Sequence, residues 1–304
     1  MTQANMTSLD LDTLTARVSA GESLSLDELR RLAESPDILQ IGMLADAVRR
    51  RINKTTVSFV RVALVEIDKP ISAEAVPDTA GEARLVGSPA TLGVALANLA
   101  SVKAVARLRA VSGFSWADVE RWAGAEDGQA QVLARLRAAG LECLAEMPFD
   151  LADGFEDALA AMAEAGFEHV RLTVGKAATM DSRLPQFLRA ARASERFPIV
   201  VAVAPLPLSL NPLRPTTGYD DVKAAALARL AMPQIPHVQV DWLRYGPKLA
   251  QVALTFGADD LDNVSPSEDA PHGQRRAPIE ELRRNVESAG FTAVERDGRF
   301  LLRA

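Results

Sequence analysis

From Val57 to Trp242 the chain alternates short β-forming runs with helical stretches, and this alternation fixes the fold class. Val57–Val65 reads as a strand and Pro89–Leu99 as a helix. Ala104–Val111 is the next strand, followed by helical stretches at Ser115–Ala123 and Gln129–Ala139. Glu142–Met147, His169–Val174, Pro198–Val203 and Val238–Trp242 are further strands, separated by helices at Gly154–Ala165, Ser182–Ala193 and Tyr219–Ala231. About six strand–helix pairs in this order predict a parallel α/β fold, because parallel neighbours need crossover connections. An open or closed (β/α) barrel fits better than a dinucleotide-binding sheet, since no G-x-G-x-x-G follows a strand.

The flanks differ from this core. Residues 1–56 read as a helical lead-in, with Ser25 as an N-cap ahead of Asp27 and Glu28, and a third helix ending near Arg51. Arg49, Arg50 and Arg51 suit the C-terminal end of that helix dipole. Residues 57–245 are the barrel, and 246–304 a C-terminal extension with a helix at Ile279–Ser288 and a hairpin turn at Asp297-Gly298. Two segments are rich in turn formers, Glu66–Pro89 and Asn263–Pro278; the first lies where a barrel places an active-site loop.

Composition narrows the class. Hydrophobic residues make up 48% and charged residues 24%, which excludes disorder. A net charge of −6 gives no general attraction to nucleic acid. Apolar runs such as Phe197–Leu208 are too short to span a bilayer, and Met1–Asp12 has no export signal, so the expected location is cytoplasmic. One cysteine, Cys143, excludes a disulfide framework and an all-cysteine metal site, and reads as a small core residue.

An ordered series in the C-terminal third is more specific. It runs Thr217-Gly218-Tyr219-Asp220-Asp221, Ala228-Arg229-Leu230, Ile235-Pro236-His237-Val238-Gln239, Gly246-Pro247-Lys248-Leu249-Ala250-Gln251 and Phe256-Gly257-Ala258-Asp259-Asp260, closing on Ala289-Gly290-Phe291. With Gly21–Ser25 and Leu44–Arg49 near the start, this series resembles the radical S-adenosylmethionine (SAM) family of aminofutalosine synthase, dehypoxanthine futalosine cyclase and FO synthase. The resemblance covers roughly residues 10–60 and 205–300, more weakly between. It implies a partial (β/α)6 TIM-like barrel of radical SAM type with N-terminal helices and a C-terminal α/β extension. The departure is equally specific: the family's C-x-x-x-C-x-x-C loop should follow the first strand, and no cysteine stands there. Thiolates hold such clusters. The glycine-rich turn of the family's SAM contact is also altered, to Val111-Ser112-Gly113-Phe114. Neither an Fe–S cluster nor ordinary SAM binding is therefore expected. Glu66, Asp68, Glu74, Asp78 and Glu82 offer only hard oxygens in that segment, which would also suit a lid.

Candidate site residues follow from strand alternation. His237, Gln239 and Asp241 fall on one face of a strand, either as a lumen-facing trio or as a structural histidine with a capping aspartate. Glu146 ends the third strand, where barrels place acids and bases. Arg171 and Thr173 alternate along the fourth and suit a carboxylate or phosphate clamp; alternatively Glu146 and Arg171 form a buried ion pair. Asp259-Asp260-Leu261-Asp262-Asn263 reads as a hydrogen-bonded turn rather than a metal loop, lying beside the substrate pocket in the resembling family. Trp242 and Tyr245 are pocket-wall candidates, Trp116 and Trp122 packing residues, and His169 and His272 solvated.

Two functions are open. One is a cluster-less futalosine-pathway homologue, an accessory protein or pseudoenzyme of menaquinone biosynthesis. It would bind a nucleoside-type intermediate or a cysteine-bearing radical SAM paralogue. The other is a barrel enzyme with non-radical acid–base chemistry on Glu146, His237 and Asp241.

Overall fold

The computed structural model describes residues 11–125, 128–150, 153–176, 178–209, 213, 217–267 and 279–303. Helices α1 (Leu11–Ala20), α2 (Leu26–Glu34) and α3 (Ile38–Asn53) lead into β1 (Thr56–Glu66). A single 3-10 turn (Ala73–Ala75) then precedes β2 (Glu82–Val86), α4 (Leu92–Ala106), β3 (Ala110–Ser115), α5 (Trp116–Ala123) and α6 (Gln129–Ala138). Next come β4 (Cys143–Pro148), α7 (Phe155–Glu164), β5 (Val170–Lys176), α8 (Met180–Arg196), β6 (Val200–Ser209) and α9 (Gly218–Ala231). The chain closes with β7 (His237–Asp241), α10 (Trp242–Leu254), β8 (Asp260–Val264), α11 (Ile279–Ser288) and β9 (Thr292–Glu295). Side-chain caps start the helices where expected: Ser25 and Glu28 form a capping box at α2, and Asp241 caps α10 through the Arg244 N–H.

Strands β1 to β8 pair in parallel and in order, and β8 and β2 both pair with β1, closing an eight-stranded TIM-like α/β barrel. The ring thus holds two strands beyond the six counted in the sequence. One is β2, hidden in the segment Glu66–Pro89; the other is β8, hidden in the acidic stretch taken for a turn. Both carry buried charge on alternate residues, Glu82 and Arg84 in β2, Asp260 and Asp262 in β8, so neither shows the apolar alternation of an ordinary strand. The strand expected at Ala104–Val111 begins later, at Ala110, because α4 runs to Ala106. It continues through Ser112-Gly113-Phe114, where glycine is required by space: a Cβ on Gly113 would lie 2.8 Å from the Leu85 Cβ.

Strand β1 is shared by three neighbours. Its lower half, Thr56–Phe59, pairs with β9, and its upper half, Val62–Glu66, with β2. The chain beyond β9 turns through Asp297 and Gly298, as the sequence predicts, and its Arg296 and Leu302 form an antiparallel bridge. This strap crosses the barrel floor: the Arg296 N–H donates to the Phe59 carbonyl (2.9 Å) and the Gly298 N–H to the Gly81 carbonyl (3.1 Å). Arg296 itself is buried and grips the Asp260 carboxylate with two N–H groups at 2.5 and 2.7 Å. The helical lead-in packs behind, α3 against α9 and α2 against α8 and α9. Arg49 is buried there, paired with Asp46 and stacked 4.0 Å over the Phe291 ring; Arg50 and Arg51 occupy the last turn as expected. His272 and residues 268–278 of the turn-rich segment after Asn263 lie outside the described residues.

Replacing Arg296 by Met strands the buried Asp260 carboxylate, and the expected loss is about 3–5 kcal/mol. Arg303→Ala removes only an exposed partner of Glu295 and should cost under about 1 kcal/mol. Urea unfolding of both variants measures the difference.

Candidate functional site

The mouth of the barrel, at the C-terminal ends of the strands, opens into a cavity of about 460 Å³, a size suited to a nucleoside or similar small molecule. Leu64, Val86, Phe114, Leu206 and Leu208 make an apolar side. Glu146, Arg171, Thr173, Gln239, Asp241, Tyr245, Asp262 and Asn263 make a polar one. Seven residues singled out from the sequence meet here: Glu146, Arg171, Thr173, Gln239, Asp241, Tyr245 and Asn263.

Below the cavity the lumen holds an ionic network in place of an apolar core. The Asp262 carboxylate receives two N–H bonds from Arg84 (2.9 and 2.9 Å) and one from Arg171 (2.5 Å). Arg84 also donates to Glu82 (2.9 Å) and Ser112 (3.3 Å). Arg171 donates to the Ala145 carbonyl (2.6 Å) and more loosely to Gln239 (3.4 Å). Gln239 passes the connection down to Asp260 (2.7 Å), which Arg296 holds from the floor. Burial alone would raise the Asp262 carboxyl, but Arg171 and Arg84 hold it well below the usual carboxylate range. Burial likewise opposes ionisation of Asp260, and Arg296 outweighs it.

At the mouth the balance reverses. Burial, followed by the nearby Asp262 charge, pushes the Asp241 carboxyl up. Asp241 accepts the Arg244 N–H (2.8 Å) and two contacts from Asn263 (3.2 Å each), the latter residue sitting at φ 59°. The Glu146 side chain has no hydrogen-bonding or ionic partner among the described residues, its backbone pairing with Ser115 of β3. Arg171 Nε and Thr173 Oγ1 are buried without partners although both residues line the cavity. Such orphaned groups cost ~1–3 kcal/mol each unless a ligand or water satisfies them.

Other expected site residues lie elsewhere. His237 shares a strand face with Gln239 and Asp241 as predicted, but at the opposite end of β7, roughly 13 Å below Asp241 at strand rise. It stacks on Phe300 of the strap (5.5 Å between ring centres) and lies 3.8 Å from Asp259. Asp259 is fully buried against Arg229 (2.9 Å), and Asp260 belongs to the floor. Trp242 is 2% exposed and packs in the core. These four do not line the cavity: His237, Asp259 and Asp260 stand at the start of β7 and β8, on the floor side, and Trp242, the first residue of α10, is turned into the hydrophobic core. Arg171 pairs with Asp262 rather than Glu146. His169 is half-buried and stacks on Phe300 rather than standing in solvent. Trp116, Trp122 and Cys143 are buried, as expected of packing residues.

Arg84, Asp118, Ser88 and Arg244 also line the cavity and were not singled out from the sequence, and Asp262 was named only within the acidic stretch 259–263. The i, i+2 spacing of Glu82 with Arg84 and of Asp260 with Asp262 was the available signal.

The segment after β1 does not fit a thiolate-held cluster. It has no cysteine, and Cys143 sits on β4 at the lumen floor beside Glu82, Arg171 and Arg296. Its carboxylates are dispersed: Glu66 pairs with Lys69, Asp78 binds Arg109 (2.8 Å), and Glu82 faces the lumen. Among the described residues no three His, Cys, Asp or Glu side chains converge on a metal position. Thr79 donates to the Pro266 carbonyl (2.5 Å), tying this segment to the turn after β8.

A parallel barrel with a polar mouth defines the broad class as a TIM-type barrel protein. No family model matches the chain. It is 39% identical over 89 residues to 5-amino-6-(D-ribitylamino)uracil–L-tyrosine 4-hydroxyphenyl transferase of Archaeoglobus fulgidus, covering 27% of this chain and 26% of that protein. It is 34% identical over 90 residues to aminodeoxyfutalosine synthase of Streptomyces coelicolor, covering 28% and 23% respectively. The matches thus span about a quarter of the length of these curated relatives. Among solved structures, methylornithine synthase (PylB) superposes with a TM-score of 0.64 at 14% identity, over 92% of this chain and 97% of that one. HydG, a maturase of the [FeFe]-hydrogenase, gives 0.66 at 13% identity, over 95% and 76%. At such identities the likeness is one of fold, a TIM-type barrel. No helix among the described residues is long and apolar enough to cross a membrane.

The depressed Asp262 and Asp260 carboxyls stabilise the folded barrel fully above the ordinary aspartate value near 4 and lose that contribution as the pH falls through their native values. Acid titration monitored by circular dichroism should show this loss. Asp262→Asn should lower stability at pH 7 and flatten the acid limb.

Proposed function

We propose that this chain is a cluster-less relative of the futalosine-pathway radical SAM enzymes. On this reading it binds a nucleoside-type intermediate in the barrel mouth as an accessory protein or pseudoenzyme of menaquinone biosynthesis, alone or beside a cysteine-bearing paralogue. One observation carries the reading. The mouth is an open cavity of about 460 Å³ with orphaned polar groups in its wall, while the segment after β1 has no thiolate. The partial match to aminodeoxyfutalosine synthase supports the pathway assignment, and the match to the ribitylaminouracil–tyrosine transferase supports the wider family alone.

A second reading, acid–base chemistry in the same cavity, is favoured by two carboxylates at the mouth. Asp241 has a raised carboxyl, and the Glu146 side chain has no partner among the described residues. A raised carboxyl moves toward the range where a general acid or base works. His237 has no part in it, being on the floor.

Anaerobic purification with iron, sulfide and SAM quantification tests the first reading, with thermal-shift measurement against futalosine-type nucleosides. The expected result is substoichiometric iron and a stabilisation approaching ~2.7 kcal/mol at a hundredfold excess over Kd. Stoichiometric iron or tight SAM binding overturns it. Turnover of such a nucleoside without iron, lost in Glu146→Gln and Asp241→Asn with unchanged melting temperature, selects the second reading.

A further inference from the structure

A second cavity, of about 540 Å³, adjoins the barrel mouth between the segment that follows β1 and the first turns of α4. Ile67, Val86, Pro89 and Val94 make its apolar lining, and Glu66, Asp68 and Asn98 are its polar residues. It shares Val86, Gly87 and Ser88 with the mouth cavity. All three shared residues are exposed, so solvent reaches the ridge that separates the two spaces.

This ridge is fixed in place from both sides. From α5, Arg121 donates to the Ser88 hydroxyl (3.1 Å) and the Pro89 carbonyl (2.8 Å), and the Trp122 indole N–H to the same carbonyl (3.1 Å). Ser88 donates in turn to Asp118. From the other side, the Ile67 N–H donates to the Val86 carbonyl (3.1 Å). Gly87 sits at φ 131°, and a Cβ there would lie 2.6 Å from Ile67 Cγ1, so glycine is required and the ridge is shaped before any ligand arrives. Polarity in the mouth is divided by strand. Glu146, Thr173, Gln239 and Asp241 come from β4, β5 and β7, whereas β1, β2 and β3 supply Leu64, Val86 and Phe114. The apolar wall thus runs from Leu64 through Val86 to Ile67 and Val94 of the second cavity. Leu64, Val86 and Val94 are 43%, 41% and 49% exposed. Three open apolar side chains along one groove differ from apolar residues scattered singly over a surface, and covering them removes that area from water.

We infer that the two cavities form one site for a bipartite ligand, with a hydrogen-bonding head among the polar residues of the mouth and an apolar arm that crosses the ridge at Gly87. The arm lies against Val86, Ile67 and Val94, and the absent side chain of Gly87 leaves the crossing clear. The inference rests on the reading that the mouth binds a nucleoside-type molecule, and it specifies what that molecule carries.

Calorimetric titration of the full chain with two pairs of ligands tests it: 5′-deoxy-5′-methylthioadenosine against its octylthio analogue, and N6-methyladenosine against N6-octyladenosine. In at least one pair the octyl member should bind at least about tenfold more tightly, a difference of ~1.4 kcal/mol, because the added methylenes are buried in the groove. Val94→Asp, at an exposed position in the first turn of α4 where a carboxylate suits the helix dipole, should abolish that advantage. Val252→Asp, at an exposed position of α10 that lines neither cavity, should keep it. No such advantage in either pair overturns the inference while leaving the nucleoside reading intact. An advantage that survives Val94→Asp, or that Val252→Asp also abolishes, overturns the assignment to this groove. Absence of binding by all four ligands overturns the nucleoside reading and this inference together.

Discussion

The Asp262 carboxylate, held between Arg84 and Arg171, is the interaction on which the rest of the barrel depends. It joins β8 to β2 and β5 across the lumen, so one side chain ties the two strands beside β1 to the opposite wall. Hydrophobic packing is non-directional and would tolerate slippage among parallel strands. Paired charges with fixed geometry do not: a one-residue slip of β8 would send Asp260 and Asp262 to the outer face and take their carboxylates from Arg84, Arg171 and Arg296. The network therefore fixes register as well as filling the lumen.

It also explains what could and could not be read in the sequence. Strands β1, β4, β5, β6 and β7 were legible because their Val, Leu and Ala content bounds them clearly, and the helices were legible from their caps and periodicity. Strands β2 and β8 were not, because their inward residues are Glu82, Arg84, Asp260 and Asp262, which look like loop or turn residues until a partner is in view. Charge complementarity across a barrel is a tertiary property, invisible to a local window. The same limitation divided the site. Alternation placed His237, Gln239 and Asp241 correctly on one face, but distance along that face decides whether a residue belongs to the mouth or the floor. Glu146, Arg171 and Thr173 were found because they lie on strands recognised as strands.

The two ends of the lumen are chemically different. The floor is sealed, with Arg296 on Asp260 and Phe300 stacked on His237 and His169. The mouth is open, with a raised carboxyl at Asp241 and, among the described residues, one without a partner at Glu146. Buried charge is matched at the bottom and left in surplus at the top, the arrangement expected where a ligand completes the upper layer.

The strap has a further consequence for how the chain folds. Arg61 and Glu295, joined by two hydrogen bonds of 3.0 Å, are separated by 234 residues. Strand β1 is made early on the ribosome, yet its lower edge has no partner until β9 and the strap emerge. Asp260, already buried by its neighbours, stays uncompensated until Arg296 arrives 36 residues later. Closure of the ring is thus a late event of high contact order, expected to be slow. During synthesis the nascent barrel exposes an unpaired strand edge, the kind of surface on which chaperones act and aggregation begins.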